Sequence, residues 1–203
     1  MTPWNLVGMA RVKGLDVIAL TDHNTARNTP EAMAAGEAYG VQVIPGMEIT
    51  SREEVHILGY FSSVPEALAA GEAVYAPLPQ VLNQPALFGN QIIIGADDSP
   101  SGTLEKLLIN ATDLSVEEVC ALVRAFGGVP VPAHINRGSN GMIGALGLMP
   151  FLPDYPVVEV YPGVPVRPMQ QRVALSSTPA MRTAWRICRN APFLWTHSLR
   201  RGM

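Results

Sequence analysis

Four histidines are the residues of this sequence best suited to chemistry, and each lies at or near a predicted strand. His23 follows the apolar run VIAL, His56 lies within EEVHILGYF, His134 follows VPVPA, and His197 follows PFLW. The carboxyl ends of parallel strands meet on one face of an α/β fold, and sites are commonly built there. A lone histidine near a strand is more often a core residue, but four in such positions indicate a shared metal site.

An acidic residue follows the same pattern, because Glu48 ends the apolar run VIPGM. A buried carboxylate is costly without a partner, so Glu48 is either a ligand or an exposed acid at the rim. Imidazoles with one carboxylate and no thiolate suit zinc, manganese or iron better than calcium. Such a cluster lowers the pKa of water toward about 7. Asp22, beside His23, is either a ligand or, as we favour, a partner that orients a ring.

The elements that must position these residues alternate between helix and strand. Thr2 and Pro3 predict the start of a helix that Gly14 ends, and Pro30 opens a second helix that Gly40 ends. Apolar runs of strand length occur at LDVIAL, VQVIPG and EEVHILGYF. This alternation predicts an α/β domain with mainly parallel strands.

The middle of the chain, residues 62–113, interrupts the alternation. A helix-like stretch, PEALAAGEAVYA, precedes the turn-rich GADDSPSG. We therefore expect one domain over residues 1–203 with an inserted segment at 62–113. The polar residues of this segment either shape a substrate entrance or belong to an ordinary loop: Asn90, Gln91, Asp97 and Asp98.

Regular signals return after the inserted segment. Ser115 and Glu118 in SVEE predict a capping box and a helix. VPVPA and PVVEVY are predicted strands, and residues 167–175 and 179–190 are helix-like.

Composition limits the function classes. An apolar fraction of 48% with 15% charged residues excludes a disordered chain. The net charge is −3 and the 14 lysines and arginines are scattered, which argues against a duplex nucleic acid partner. The lack of a long apolar run and of a secretory signal predicts a cytoplasmic protein without a membrane partner. Cys120 and Cys188 lack metal-site spacing and are expected in the core.

Four motifs together resemble the polymerase and histidinol phosphatase (PHP) family: TDHN, PGMEIT, EEVHILGYF and PAHINR. The resemblance implies a distorted (β/α)7 barrel with up to three divalent metal ions and hydrolysis of phosphoesters. It also implies metal-ligand roles for the matching positions: His23, Glu48, His56, His134 and His197. Arg137, just after the PAHIN stretch, is either a phosphate-binding residue or a surface arginine.

Two departures from the family pattern limit what the resemblance implies. The opening His-x-His motif and its strand are absent, and Trp195 replaces the aspartate of the last motif. We therefore expect fewer metals than in the family, and an exposed strand edge that favours a homodimer. Either the missing motif is encoded upstream of Met1, or the chain is a remnant.

These observations leave two hypotheses. The first is a metal-dependent phosphoesterase that acts on a small phosphorylated molecule or nucleotide, as a monoester or a diester. The second is a non-catalytic module that binds a metal or a phosphorylated metabolite.

Overall fold

The structure, a computed structural model, describes residues 1–150, 155, 157–162 and 164. This part of the chain is a mixed α/β fold, as expected. Its helices and strands follow in chain order: α1 (Pro3–Val12), β1 (Val17–Leu20), α2 (Thr29–Tyr39), β2 (Gln42–Thr50), β3 (His56–Tyr60), α3 (Val64–Tyr75), α4 (Pro85–Phe88), β4 (Ile92–Ile94), β5 (Pro100–Thr103), α5 (Val116–Ala125), β6 (Val129–Pro132) and α6 (Met142–Leu146). None of these helices is long and apolar enough to cross a membrane.

The helix ends follow local sequence signals. Thr2 caps α1 by accepting the N–H of Asn5, and Pro3 occupies the first helical position. α2 ends at Gly40, whose left-handed φ of 67° is a conformation that glycine adopts without strain. Turn and cap residues therefore set where the helices stop and the strands begin.

The main sheet has the strand order β1, β2, β3, β6. β1 and β2 are parallel, whereas β2–β3 and β3–β6 are antiparallel. The prediction of mainly parallel strands is thus wrong for this sheet. Only residues 51–55 connect β2 to β3, and a parallel crossover needs a dozen residues or more. Within the residues that the structure describes, the sheet is open and no closed barrel is seen.

The apolar core lies in two large clusters. One cluster packs α1 and α2 against β1 and the start of β2, through residues such as Val7, Ile18 and Val43. The other packs α3 and α5 against the rest of β2 and β3, and it includes Met47 and Ile49. Because side chains alternate along a strand, the residue between these two, Glu48, points away from that cluster.

Two later segments complete the fold. β4 and β5 form a separate antiparallel hairpin within the expected insertion, whose bounds stay a prediction. PVVEVY is not a regular strand in its described part, residues 157–161. Glu159 links it to the end of β6, donating to Pro132 O and accepting from the Ile135 N–H, and Tyr161 exchanges two hydrogen bonds with Asn136. The helix-like stretches predicted at 167–175 and 179–190, and PFLWTH, lie outside the described residues.

Candidate metal centre

His23 is positioned beside Glu48 by an extension of the β1–β2 pairing. Beyond the end of β1, the N–H of Glu48 donates to Asp22 O (3.0 Å) and the N–H of Asn24 donates to Glu48 O (2.9 Å). These bonds form a parallel bridge between His23 and Glu48. The polar trio after the first strand therefore stays in register with β2.

The β2–β3 hairpin brings His56 to the same carboxylate. Thr50 lies opposite His56 in the register, and Glu48 is two residues before Thr50 on the same face of β2. His56 Nδ1 donates a hydrogen bond to Glu48 Oε1 at 2.8 Å, since an ionised carboxylate only accepts.

His134 reaches the cluster from the end of β6. Its side chain is 1% exposed, and Nε2 lies 3.3 Å from Glu48 Oε1. Its backbone has a φ of 30°, which is unusual for a residue other than glycine. The N–H of Ala133 donates to His56 O, so β3 and the end of β6 are held together beside the site.

The cluster is compact. One ligand atom from each of Glu48, His56 and His134 lies within 4.8 Å of the others. His23 Nε2 approaches the second carboxylate oxygen, Oε2, at 3.7 Å. The ring centroids of His23 and His56 are 5.3 Å apart, and those of His56 and His134 are 5.2 Å apart.

The environment fixes the charge on Glu48. Burial by itself would raise the pKa of Glu48, but hydrogen bonding from His134 and His56 and the nearby imidazole charges outweigh it. The pKa of Glu48 therefore falls to about 2, and the side chain is a carboxylate at neutral pH. Burial lowers the pKa of His23 despite the attraction of Glu48, which favours a neutral ring with a free lone pair.

This donor set fits a divalent metal ion. Neutral imidazoles with an ionised carboxylate are ligands for zinc, manganese and iron. His23 also has a buried Nδ1 with no hydrogen-bond partner in the part of the chain that the structure describes. A buried polar atom is costly when unpaired, so a ring that reorients toward a cation would relieve that cost.

Asp22 contacts a neighbour outside the imidazole cluster. Its Oδ2 accepts a hydrogen bond from Asn28 Nδ2 at 3.2 Å. Burial raises the pKa of Asp22, opposed by this hydrogen bond and by the charge of His23. Asn28 Oδ1 in turn accepts the N–H of Ile94, which ties β4 to the loop that carries His23.

Asn24 holds the loop in place, a role that the sequence reasoning missed. It is fully buried with a φ of 51°. Its Nδ2 donates to the carbonyls of Leu108 (2.7 Å) and Asn110 (2.9 Å), and its Oδ1 accepts the N–H of Thr50. Asparagine tolerates this left-handed conformation, which was the only local signal available.

Two of the polar residues predicted in the segment 62–113, Gln91 and Asp98, have hydrogen-bond partners within the fold. Gln91 donates to the carbonyls of Leu104 and Lys106 and accepts the N–H of Leu108. Asp98 accepts from the Thr2 hydroxyl at 2.8 Å. Gln91 thus links backbone segments of the insertion.

Arg137 is the remaining predicted site residue that the structure describes. Arg137 is exposed in the loop after β6, where its N–H donates to His134 O at 2.8 Å. His197 and Trp195 lie outside the described residues.

Comparison with known proteins gives partial matches. No protein-family model matches the sequence. The chain is 36% identical over 74 residues to an uncharacterized protein of Methanocaldococcus jannaschii, covering 36% of this chain and 43% of that protein. It is 37% identical over 62 residues to a 5'-3' exoribonuclease of Haemophilus influenzae, covering 29% and 23%. The matches thus span less than half the length of either relative.

A solved structure shares the fold. A protein of Bifidobacterium adolescentis, described as a candidate metal-dependent phosphoesterase, superimposes with a TM-score of 0.58 and 23% identity. The match covers 86% of this chain and 77% of that protein. At this level of identity the similarity shows the fold.

Proposed function

From the premise that the chain resembles the PHP family in both motifs and fold, we propose that it is a metal-dependent hydrolase of phosphoesters. One observation carries the proposal: the buried Glu48 carboxylate lies among three imidazoles, those of His23, His56 and His134. An ionised carboxylate enclosed by imidazoles in this way is suited to holding a cation.

Each residue has a defined task in this proposal. Glu48 supplies the negative charge, and His56 and His134 approach it from β3 and the end of β6. His23 completes the set from the loop after β1, and His197 is proposed as a further ligand. A divalent ion, when bound, supplies Lewis-acid activation of water and neutralises charge at phosphorus.

The surroundings are proposed to serve the substrate. Arg137 is exposed beside the loop that carries His134, where a guanidinium suits a phosphate group. Asp22 is proposed to orient the His23 loop through its bond to Asn28. We further propose a distorted (β/α)7 barrel of the PHP type, fewer metals than the family's three, a cytoplasmic location and a homodimer.

The substrate class is proposed as a small phosphorylated molecule or a nucleotide, with neither duplex nucleic acid nor a membrane as partner. The partial identity to a 5'-3' exoribonuclease adds nucleotide diesters to the compounds that need testing. The second candidate function is a module that binds metal without catalysis, which Trp195 in the last motif favours.

The test combines metal content with hydrolysis. The purified chain is loaded with manganese or zinc, freed of excess ion, and analysed for metal per chain and for hydrolysis of p-nitrophenyl phosphate and its bis-ester. Glu48→Gln removes the central charge with little change in shape. Glu72→Gln is the matched control, because Glu72 is an exposed acid that pairs with Arg27 and is not one of the four cluster residues.

We expect wild type and Glu72→Gln to retain metal and hydrolyse a phosphoester. The affinity of Glu48→Gln for the metal ion should fall by more than about 10- to 100-fold, which is the typical cost of removing a residue that only supports a ligand. Metal binding without any hydrolysis would favour the binding module. Equal metal content in Glu48→Gln and wild type, or none in either, would overturn the proposal.

A further inference from the structure

His134 has a backbone that its neighbours must hold in place. Its φ of 30° lies outside the regions that non-glycine residues favour, although its ring is almost fully buried. Such conformations persist only where the surrounding structure determines them, and they concentrate at functional sites. The position of the His134 ring therefore depends on whatever fixes this backbone.

Glu159 makes three hydrogen bonds around this point. Its N–H donates to Pro132 O at 2.9 Å, and its carbonyl accepts the N–H of Ile135 at 2.9 Å. Its carboxylate Oε2 accepts the N–H of His134 itself at 3.0 Å. The three bonds bracket the backbone turn that points His134 toward Glu48.

Only one of these bonds depends on the side chain. Any residue except proline can make the same two main-chain bonds to Pro132 and Ile135. The carboxylate bond is specific to Glu159, and its donor is the residue with the unusual φ. The His134 N–H therefore needs a side-chain oxygen at position 159 to accept it.

We propose that Glu159 is a positioning residue, which fixes the His134 backbone so that Nε2 stays 3.3 Å from Glu48 Oε1. The inference rests on the proposed function, because it assigns Glu159 a purpose in metal binding. Glu159 itself touches no metal or substrate in this scheme. Its effect passes through the main chain of His134.

The experiment measures zinc affinity by calorimetry for the full chain and for variants at position 159. Glu159→Ala removes the acceptor, whereas Glu159→Gln keeps an oxygen that accepts the His134 N–H. Glu118→Ala is the control, because its carboxylate also accepts a main-chain N–H, that of Ser115, on helix α5. Hydrogen exchange of the His134 amide in metal-free protein reports the bond itself.

We expect Glu159→Ala to bind zinc about 10- to 100-fold more weakly, as removal of an outer partner typically does. Its His134 amide should exchange faster, while Glu159→Gln and Glu118→Ala stay close to wild type in affinity. If Glu159→Ala does not fold, Glu159→Leu tests the same loss of the acceptor with a bulkier side chain.

Wild-type affinity in Glu159→Ala would overturn the inference, and so would equal losses in the Ala and Gln variants. A wild type that binds no zinc would overturn the proposed function and this inference with it. Hydrogen exchange distinguishes a failure of the proposed function from a failure of the hydrogen bond. If only the proposed function fails, the His134 amide is still protected in wild type and exchanges faster in Glu159→Ala.

Discussion

At the scale of single residues, Glu48 shows how a buried charge is tolerated. A carboxylate that is 1% exposed would be costly alone, but imidazole nitrogens of His56 and His134 lie 2.8 and 3.3 Å from one of its oxygens. The partners lower its pKa to about 2. The charge therefore persists at neutral pH in the position where a cation would be held.

Cys120 gives a residue-scale prediction that is independent of the metal centre. Burial raises the pKa of this thiol from 9.0 to about 11. At pH 8 its thiolate fraction falls from about 10% to about 0.1%, so alkylation by iodoacetamide should be roughly 100-fold slower than for an ordinary thiol. The rate should rise about tenfold per pH unit up to pH 11, because only the thiolate reacts.

The measurement uses Cys188→Ser, so that Cys120 is the sole cysteine. The same protein in urea serves as control, and there the thiol should react at the ordinary rate. Rapid alkylation of the folded protein at pH 8 would contradict the assigned environment.

Residue types revealed some members of the candidate site and concealed others. The histidines and Glu48 stood out because imidazoles and an acid at strand ends are informative in themselves. Asn24 did not, because its partners Leu108 and Asn110 are more than 80 residues away in sequence. Glu159 could not be recognised from the sequence either, since its bond to His134 joins residues that are 25 apart in sequence.

At the scale of elements, β2 organises the sheet. Its first half pairs in parallel with β1 and its second half pairs antiparallel with β3. Pro45 lies where the two pairings meet, and its carbonyl accepts the N–H of Phe61. At Gly46, a Cβ would lie 2.8 Å from the Gly59 carbonyl, so a side chain there would force the strands apart. β2 thereby places Glu48 between His23, which follows β1, and His56, which lies on β3.

The capping box of α5 gives an element-scale prediction. Ser115 Oγ accepts the N–H of Glu118 at 3.2 Å, and the Glu118 carboxylate accepts the N–H of Ser115 at 2.8 Å. Ser115→Ala should lower the free energy of unfolding by about 1 kcal/mol, because an N–H at the helix start loses its acceptor. Urea denaturation measures this loss.

Ser139→Ala is the control for that measurement, since Ser139 is exposed in the loop after β6. It should change the unfolding free energy by less than about 0.5 kcal/mol. Equal effects of the two substitutions would show that the capping box contributes nothing specific.

The elements were predictable where their signals are local. Thr2, Pro3, Gly40 and the Ser115 capping box marked helix ends that the structure has. Strand direction was not predictable from apolar runs, because it depends on how the short link 51–55 turns. PVVEVY has the composition of a strand, yet its described part forms only scattered hydrogen bonds, from Glu159 and Tyr161, to the chain at the end of β6.

At the scale of the whole molecule, the candidate site joins distant parts of the chain. Its side chains come from the loop after β1, from β2 and β3, and from the end of β6. Asn24 and Asn28 also connect that first loop to the segment containing β4. A cation bound at Glu48 would therefore stabilise the packing of distant parts of the chain in addition to activating water.

This arrangement predicts that metal binding stabilises the entire fold. A ligand that binds only the folded chain at 100 times its Kd adds about 2.7 kcal/mol to the free energy of unfolding. For a chain of this length that corresponds to a rise in Tm of about 5–10 °C. Differential scanning calorimetry with zinc or manganese, and again after chelation, measures the rise and its reversal.

Glu72→Gln should show the same rise, whereas Glu48→Gln should show almost none, because the carboxylate that draws the three imidazoles together is gone. A rise of equal size in Glu48→Gln would mean that the ion binds elsewhere, and the strands that meet at Glu48 would then be held by packing and hydrogen bonds alone.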